Sequence, residues 1–150
     1  MKVIDVMSEK PITVHRNNTL NHALDMMAKH NVRECPVIHN GRLVGMISES
    51  DITRAADVYN RINKIDDLPF ALLMVIKGNY RGIKKNVREY MNKKVHTIMA
   101  TNIISVSPED DLYKAMRMIN RHDVRSLPVI KNKKLAGIIS RSDIIRTMAC

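Results

Sequence analysis

The chain repeats itself. Residues 2–54 and 94–146 align at a constant offset of 92 without insertion or deletion, and 23 of the 53 aligned positions are identical. The clearest correspondence sets Val32-Arg33-Glu34-Cys35-Pro36-Val37-Ile38 against Val124-Arg125-Ser126-Leu127-Pro128-Val129-Ile130. Gly45-Met46-Ile47-Ser48-Glu49-Ser50-Asp51-Ile52 is then matched by Gly137-Ile138-Ile139-Ser140-Arg141-Ser142-Asp143-Ile144. So regular a duplication implies two like-folded units about a pseudo-two-fold axis, with two related clefts where they meet. A unit of about 55 residues is marginal alone, and two that bury a shared face are far more secure. The chain therefore divides into a first copy at 1–54, an unrepeated stretch at 55–93 and a second copy at 94–150.

Within each copy the hydrophobic periodicity alternates between strand and helix. Pro11–His15 and Ile103–Val106 read as opening strands. A helix follows, with Asn17, Asn18 and Thr19 as candidate caps in the first copy and Leu20, Ala23, Leu24 and Met27 as its apolar stripe. In the second copy Ser107 is the expected N-cap, with Pro108 at the first helical position and Asp110 closing a capping box, before Leu112, Ala115, Met116 and Ile119. Two strand pairs come next, Cys35–Ile38 with Leu43–Ile47 and Leu127–Ile130 with Leu135–Ile139, turning at Asn40-Gly41 and Asn132-Lys133. A last helix starts near Ser48 and near Ser140. Strand, helix, strand, strand, helix, twice over, is an α+β fold. In the unrepeated stretch a helix is expected from Phe70 to about Lys77, a loop at 78–82 and a second helix over Asn86–Lys93.

Composition narrows the function classes. There is no Trp and a single Phe against eleven Met, so the core is aliphatic and the methionines read as core filler. Cys35 aligns with Leu127 and reads as a buried small hydrophobe; two cysteines, the other at the terminal Cys150, make no disulfide framework. The longest clean apolar run, Phe70–Ile76, is far too short to cross a bilayer, so no membrane association and a cytoplasmic location are expected. The net charge of +10 is concentrated from mid-chain onward, with seven basic residues and only Glu89 acidic between Lys77 and Lys94. Basic excess attracts phosphate, whether on a nucleotide or a nucleic acid. The six histidines show no metal-ligand spacing, and no nucleophile motif, P-loop or G-x-G-x-x-G is present. No catalytic residue, metal or cofactor is expected.

What remains are polar residues held in step by both copies. Ser48-x-x-Asp51 and Ser140-x-x-Asp143 stand at strand-to-helix junctions, where one occurrence alone reads as a helix cap. The same geometry also suits a ligand: unpaired N–H groups favour a phosphate, hydroxyls add donors, and a carboxylate can accept from both hydroxyls of a ribose. Recurrence in both copies, with Ser50 and Ser142 also in step, favours binding. Arg33 and Arg125, just before the first strand of each hairpin, read equally as surface arginines at a helix end and as phosphate clamps.

These residues carry a resemblance. Val-Arg-x-x-Pro-Val-Ile followed by Gly-x-Ile-Ser-x-Ser-Asp-Ile, preceded by Val3-x-x-Val6-Met7 or Val95-x-x-Ile98-Met99, is similar to the CBS domain, the small regulatory module of cystathionine β-synthase. The tandem resembles a Bateman module and covers about two-thirds of the chain. The resemblance implies a β-α-β-β-α unit paired through its sheets, with adenine nucleotides or adenosyl compounds (AMP, ADP, ATP or an S-adenosylmethionine-like molecule) held in clefts that mix the copies. It implies ribose contacts at Asp51 and Asp143, phosphate or sugar contacts at Ser48, Ser50, Ser140, Ser142, Arg33 and Arg125, and base contacts at Ile12, Val32, Ile104 and Val124. Asp143 then shares a cleft with Val32 and Arg33, and Asp51 with Val124 and Arg125. It also implies a homodimer read by an unidentified effector protein. Glu34 and Ser126 stand where the family often has a second basic residue, so the Asp51 cleft is expected to take the more phosphorylated ligand. The alternative is a nucleic-acid-binding protein using the basic segment 77–94.

Overall fold

The computed structural model describes residues 1–63 and 85–149. In chain order these form a 3₁₀ turn Val3–Asp5, β1 (Val14–His15), α1 (Leu20–His30), β2 (Glu34–His39), β3 (Arg42–Ser48), α2 (Glu49–Asn63), α3 (Lys85–Met91), a second 3₁₀ turn Val95–Thr97, α4 (Leu112–His122), β4 (Ser126–Lys131), β5 (Lys134–Ser140) and α5 (Arg141–Met148). The mixture is α+β, as the periodicity implies. The helix and loop expected at 70–82 lie outside the described residues, as do Lys77, Arg81 and Lys84 of the basic segment and Cys150.

Of the three candidate caps in the first copy, Thr19 serves: its hydroxyl accepts the His22 N–H at 3.1 Å, and Leu20, Ala23, Leu24 and Met27 are buried along α1. In the second copy the expected start is wrong. Helix α4 begins at Leu112, capped by Asp111, whose carboxylate accepts the Tyr113 N–H at 2.7 Å. The Ser107–Asp110 run closes a turn instead, with Asp110 accepting the Ser107 N–H at 2.8 Å, just as Asn18 accepts the His15 N–H at 2.7 Å. Ser and Asp suit a turn as well as a cap, and here the turn takes them.

Strand β1 pairs in parallel with β2, matching Val14 to Val37, and β3 lies on the other side of β2. Both opening strands are shorter than expected, and the second shrinks to a single parallel bridge between Val106 and Val129. One residue accounts for the difference between the copies. The Arg16 N–H continues the first ladder by donating to the Ile38 carbonyl at 3.1 Å, whereas its equivalent, Pro108, has no N–H to give. Both hairpins turn through two left-handed residues, Asn40 and Gly41 at φ 50° and 72°, Asn132 and Lys133 at φ 50° and 65°. Strands β4 and β5 are antiparallel, with an irregularity between Val129 and Ile130.

The compact units cross the repeat boundaries. One comprises Met1–Pro11, Asn40–Leu43 and Asn102–Cys150, the other Ile12–His39 and Val44–Thr101. In the first, the Val3 N–H donates to the Asp110 carbonyl at 2.9 Å, and Ser8 exchanges bonds of 2.9 and 3.0 Å with Ile138. In the second, the Val95 N–H donates to the Asn18 carbonyl at 2.8 Å, and Ala100 exchanges bonds of 2.8 and 2.9 Å with Met46. Each opening segment therefore joins the strand pair of the other copy. A glycine permits each approach: a Cβ on Gly137 would stand 2.6 Å from the Ser8 carbonyl oxygen, and one on Gly45 2.9 Å from that of Ala100.

The two cores are built from equivalent residues. Val3, Val106, Ala115, Ile119, Leu127, Val129, Ile139 and Ile144 fill one, and Val95, Val14, Ala23, Met27, Cys35, Val37, Ile47 and Ile52 fill the other. The second core adds Tyr90 and Met91 from α3. The Tyr90 hydroxyl donates to the Ile52 carbonyl at 2.6 Å, and burial pushes its pKa well above the usual phenol range. The end of the unrepeated stretch thus adds Tyr90 and Met91 to this core, while Arg88, Glu89, Asn92 and Lys93 stay exposed. Cys35 is fully buried, as expected, and burial pushes its thiol up to about 11, with Glu34 adding to the rise.

Candidate ligand-binding site

Where β3 meets α2 and β5 meets α5, the same three hydrogen bonds recur. Asp143 Oδ2 accepts the Ser140 N–H at 2.8 Å and the Ser140 hydroxyl at 2.6 Å, and the Asp143 N–H donates to that hydroxyl at 3.2 Å. For Asp51 and Ser48 the same bonds are 3.0, 2.9 and 3.1 Å. The capping reading is therefore correct, but it consumes only Oδ2. The other oxygen of each carboxylate faces an arginine one turn on, Arg146 at 3.9 Å and Arg54 at 3.6 Å. Each aspartate side chain keeps 19% of its surface exposed, and Oδ1, which the cap does not use, retains acceptor capacity. The hydroxyls of Ser48 and Ser140 give their proton to the carboxylate, which leaves each a lone pair and no proton for a phosphate. Ser50 and Ser142 are exposed one residue before each aspartate.

The arginines and valines reach this junction through the end of the preceding helix. Asn31 and Asp123 close α1 and α4 in the left-handed conformation, which short polar side chains tolerate. The next N–H groups, of Val32 and Val124, then reach back to Met27 and Ile119 at 3.0 and 3.1 Å, as in a Schellman motif. Arg33 and Arg125 follow, their side chains exposed, their carbonyls accepting the N–H of Glu49 at 3.0 Å and of Arg141 at 2.9 Å. The first N–H of α2 and of α5 is satisfied in this way. Val32 and Ile12 are half-buried against one core, Val124 and Ile104 against the other.

One unit thus carries Ile12, Val32, Arg33, Ser48, Ser50 and Asp51, and the other Ile104, Val124, Arg125, Ser140, Ser142 and Asp143. Sequence reasoning passed over Arg54 and Arg146, although both copies keep them in step. It also passed over the open cavity beside Asp143, of about 340 Å³, lined by Met1, Asp5, Val6, Asp143, Arg146 and Thr147. Its walls come from segments 137 residues or more apart in the chain, so no local motif announces it. Among the described residues no group of three or more His, Cys, Asp or Glu can hold a metal ion, and no helix is long and apolar enough to cross a membrane.

The sequence profile of the CBS domain matches residues 3–58 and 87–150. The chain belongs to the CBS domain family. Its fold is that of a CBS pair. It superimposes at a TM-score of 0.71 on the CBS domain pair of protein MJ0100 in complex with 5′-methylthioadenosine and S-adenosylmethionine, at 23% identity, covering 99% of this chain and 96% of that one. Protein MJ1225 of Methanocaldococcus jannaschii, proposed to be an archaeal homologue of γ-AMPK, gives a TM-score of 0.75 at 24% identity, over 98% of this chain and 47% of that one. Among curated proteins, the uncharacterized MJ1426 of the same organism is 29% identical over 99% of this chain and 91% of its own length. Of other relatives this CBS pair spans only a part, such as 32% of MJ1404, which is 30% identical to it.

Proposed function

We propose that this CBS pair is a non-catalytic sensor that binds an adenine nucleotide or an adenosyl metabolite, with Asp51 and Asp143 holding ribose hydroxyls. The observation that carries the reading is the twice-built Ser–Asp box. The cap uses one carboxylate oxygen and presents the other, already held in place, at a strand-to-helix junction. A ribose diol needs such an acceptor, and an acceptor fixed beforehand loses little freedom on binding. Arg33 and Arg125, tied by their carbonyls to the first turn of α2 and α5, are the phosphate contacts; Ile12, Val32, Ile104 and Val124 offer apolar flanks for the base. The adenosyl ligands in the MJ0100 pair support the ligand class.

Ligand binding alters the module, and an effector protein reads the change. A homodimer is part of this reading: Ile145 and Met148, one turn apart on α5, are 57% and 73% exposed, which favours a partner surface there. Native mass spectrometry of the purified protein tests both elements together. The expected spectrum is a dimer that gains mass on addition of AMP, ATP or S-adenosylmethionine. A folded protein that takes up none of the three refutes the ligand class, and a monomer at all concentrations refutes the dimer.

A further inference from the structure

The two hairpins turn alike, but their tips differ in charge. His39-Asn40-Gly41-Arg42 ends the first and Lys131-Asn132-Lys133-Lys134 the second, so that lysine stands at every position but the asparagine. Two local preferences are broken to place these lysines. Lys133 holds the left-handed conformation, at φ 65°, where Gly41 fits without strain. Lys131 and Lys134 stand opposite each other across the ladder, where like charges repel. Lysines along a strand can guard a sheet edge, but Lys133 lies in the turn and guards none. Strain kept at an exposed turn points to a use for the side chain. All four residues are exposed, and none of the three lysines forms an ion pair among the described residues. The acidic turn beside Lys131 is largely neutralised within itself. Glu109, whose negative charge Lys131 helps to hold, is bonded to Lys2 at 2.6 Å, and Asp110 to Lys114 at 2.8 Å. Asp111 keeps its charge as the cap of α4, while Asp5 and the Met1 ammonium, which line one cavity, add no net charge. Positive charge therefore remains in excess. The tip is also unflanked: bonding on the outer side of β4 ends where the Ile130 N–H meets the Val106 carbonyl at 2.9 Å, because Pro108 has no N–H, and that of β5 ends at the Ser8–Ile138 pair.

We infer that this two-stranded tip is a contact for the phosphodiester backbone of duplex DNA. A two-stranded ribbon fits the major groove, and lysines meet phosphates as point charges without reading sequence. Other polyanions fit less well. Protein interfaces are depleted in lysine and rest on aromatic and arginine anchors, of which the tip has none. Anionic membranes are held by clusters of about four to eight cations or by an apolar face, and the tip offers neither. Without aromatic rings it gives no stacking platform for a single strand. The tip is at the far end of the strand pair from Ser126 and Ser140, so the contact does not depend on the proposed ligand.

The test is fluorescence anisotropy of a labelled DNA duplex of about 20 base pairs, titrated with the full chain at about 50 to 200 mM KCl. Three phosphate contacts weaken binding about forty-fold over this range, a contribution of about 2.7 to the log–log slope. Lys133→Gly should reduce the steepness of the slope by about 0.9, and the triple variant Lys131→Gln, Lys133→Gly, Lys134→Gln by about 2.7. Lys133→Gly relieves backbone strain, so its loss of affinity is not a loss of fold, and circular dichroism checks the triple variant. A wild type that leaves the duplex free at about 50 mM salt, or a slope that the variants leave unmoved, overturns the inference. So does binding to phosphatidylserine vesicles that the triple variant abolishes while the duplex stays free.

Discussion

Capping and ligand binding meet in the same carboxylate, and two substitutions separate them. Ser140→Ala removes the hydroxyl, and with it two of the three bonds of the box, leaving the 2.8 Å bond from the Ser140 N–H to Asp143 Oδ2. Loss of a side-chain cap costs about 1 kcal/mol. Asp143→Ala also removes two bonds, together with an acidic group in the first turn of α5, which adds a few tenths of a kcal/mol up to about 1 kcal/mol. The variants share the hydroxyl–carboxylate bond, so the double variant should lose less than the sum, by about 1 kcal/mol. Urea denaturation should therefore show both single variants about 1–2 kcal/mol less stable than wild type. Their affinities should diverge. Asp143→Ala leaves a ribose diol without its acceptor and should lose about 1–3 kcal/mol of binding, about five- to 160-fold. Ser140→Ala keeps the carboxylate, and its affinity should stay within about two-fold, since the remaining backbone bond still orients Oδ1. Equal losses of affinity in the two variants, or no loss in Asp143→Ala, refute the division of labour between the two oxygens.

Three further outcomes follow from the fold. Gly137→Ala should destabilise the protein by about 1–3 kcal/mol in thermal or urea unfolding, because its Cβ meets the Ser8 carbonyl oxygen at 2.6 Å and must separate the Ser8–Ile138 pair. Lys133→Gly should stabilise it by up to about 1 kcal/mol in the same assay, because Lys133 is held at φ 65° where the first hairpin has Gly41. Cys35 ties stability to pH: burial holds its thiol at about 11, above the ordinary thiol value of 9.0, so its contribution is complete below pH 9 and is lost as the pH rises toward 11. The melting temperature should therefore fall over that interval, and Cys35→Val should flatten the fall; an unchanged slope contradicts the assignment.

The parts of the fold legible in the sequence are those that depend on local pattern. The strand pairs, the Asn-Gly turn and the stripe Leu20, Ala23, Leu24, Met27 each announce themselves within a few residues, and repetition at an offset of 92 supplies a second reading of each. What is not legible depends on partners distant in the chain. Nothing in Val3–Ser8 states that it joins Ile138 and Asp110 rather than Met46 and Asn18, because the two strand pairs are near copies and the choice rests on tertiary packing. Tyr90 stands in a stretch without a counterpart, so no recurrence marked it as core. The late start of α4 shows the remaining ambiguity: Ser107 and Asp110 have the residue types of a cap, and the competing turn is satisfied by the same atoms.

For the site, recurrence located the Ser–Asp pairs but could not divide the labour within them. The three-bond box required distances, as did the finding that the serine protons are already given to the carboxylates. Arg54 and Arg146 were available to the same argument, being in step in both copies. Asp5 was not, since its counterpart is Thr97 and its place in the cavity depends on the opening segment packing against α5.

The central claim, that the twin Ser–Asp boxes are adenosine-ligand sites, is tested most directly by calorimetric titration of AMP, ATP and S-adenosylmethionine into wild type and into the Asp51→Ala, Asp143→Ala double variant. Saturable heat with at least one ligand in the wild type, and none in a double variant that retains its circular dichroism spectrum, is the predicted result. Equal binding by both proteins, or none by the folded wild type, contradicts it.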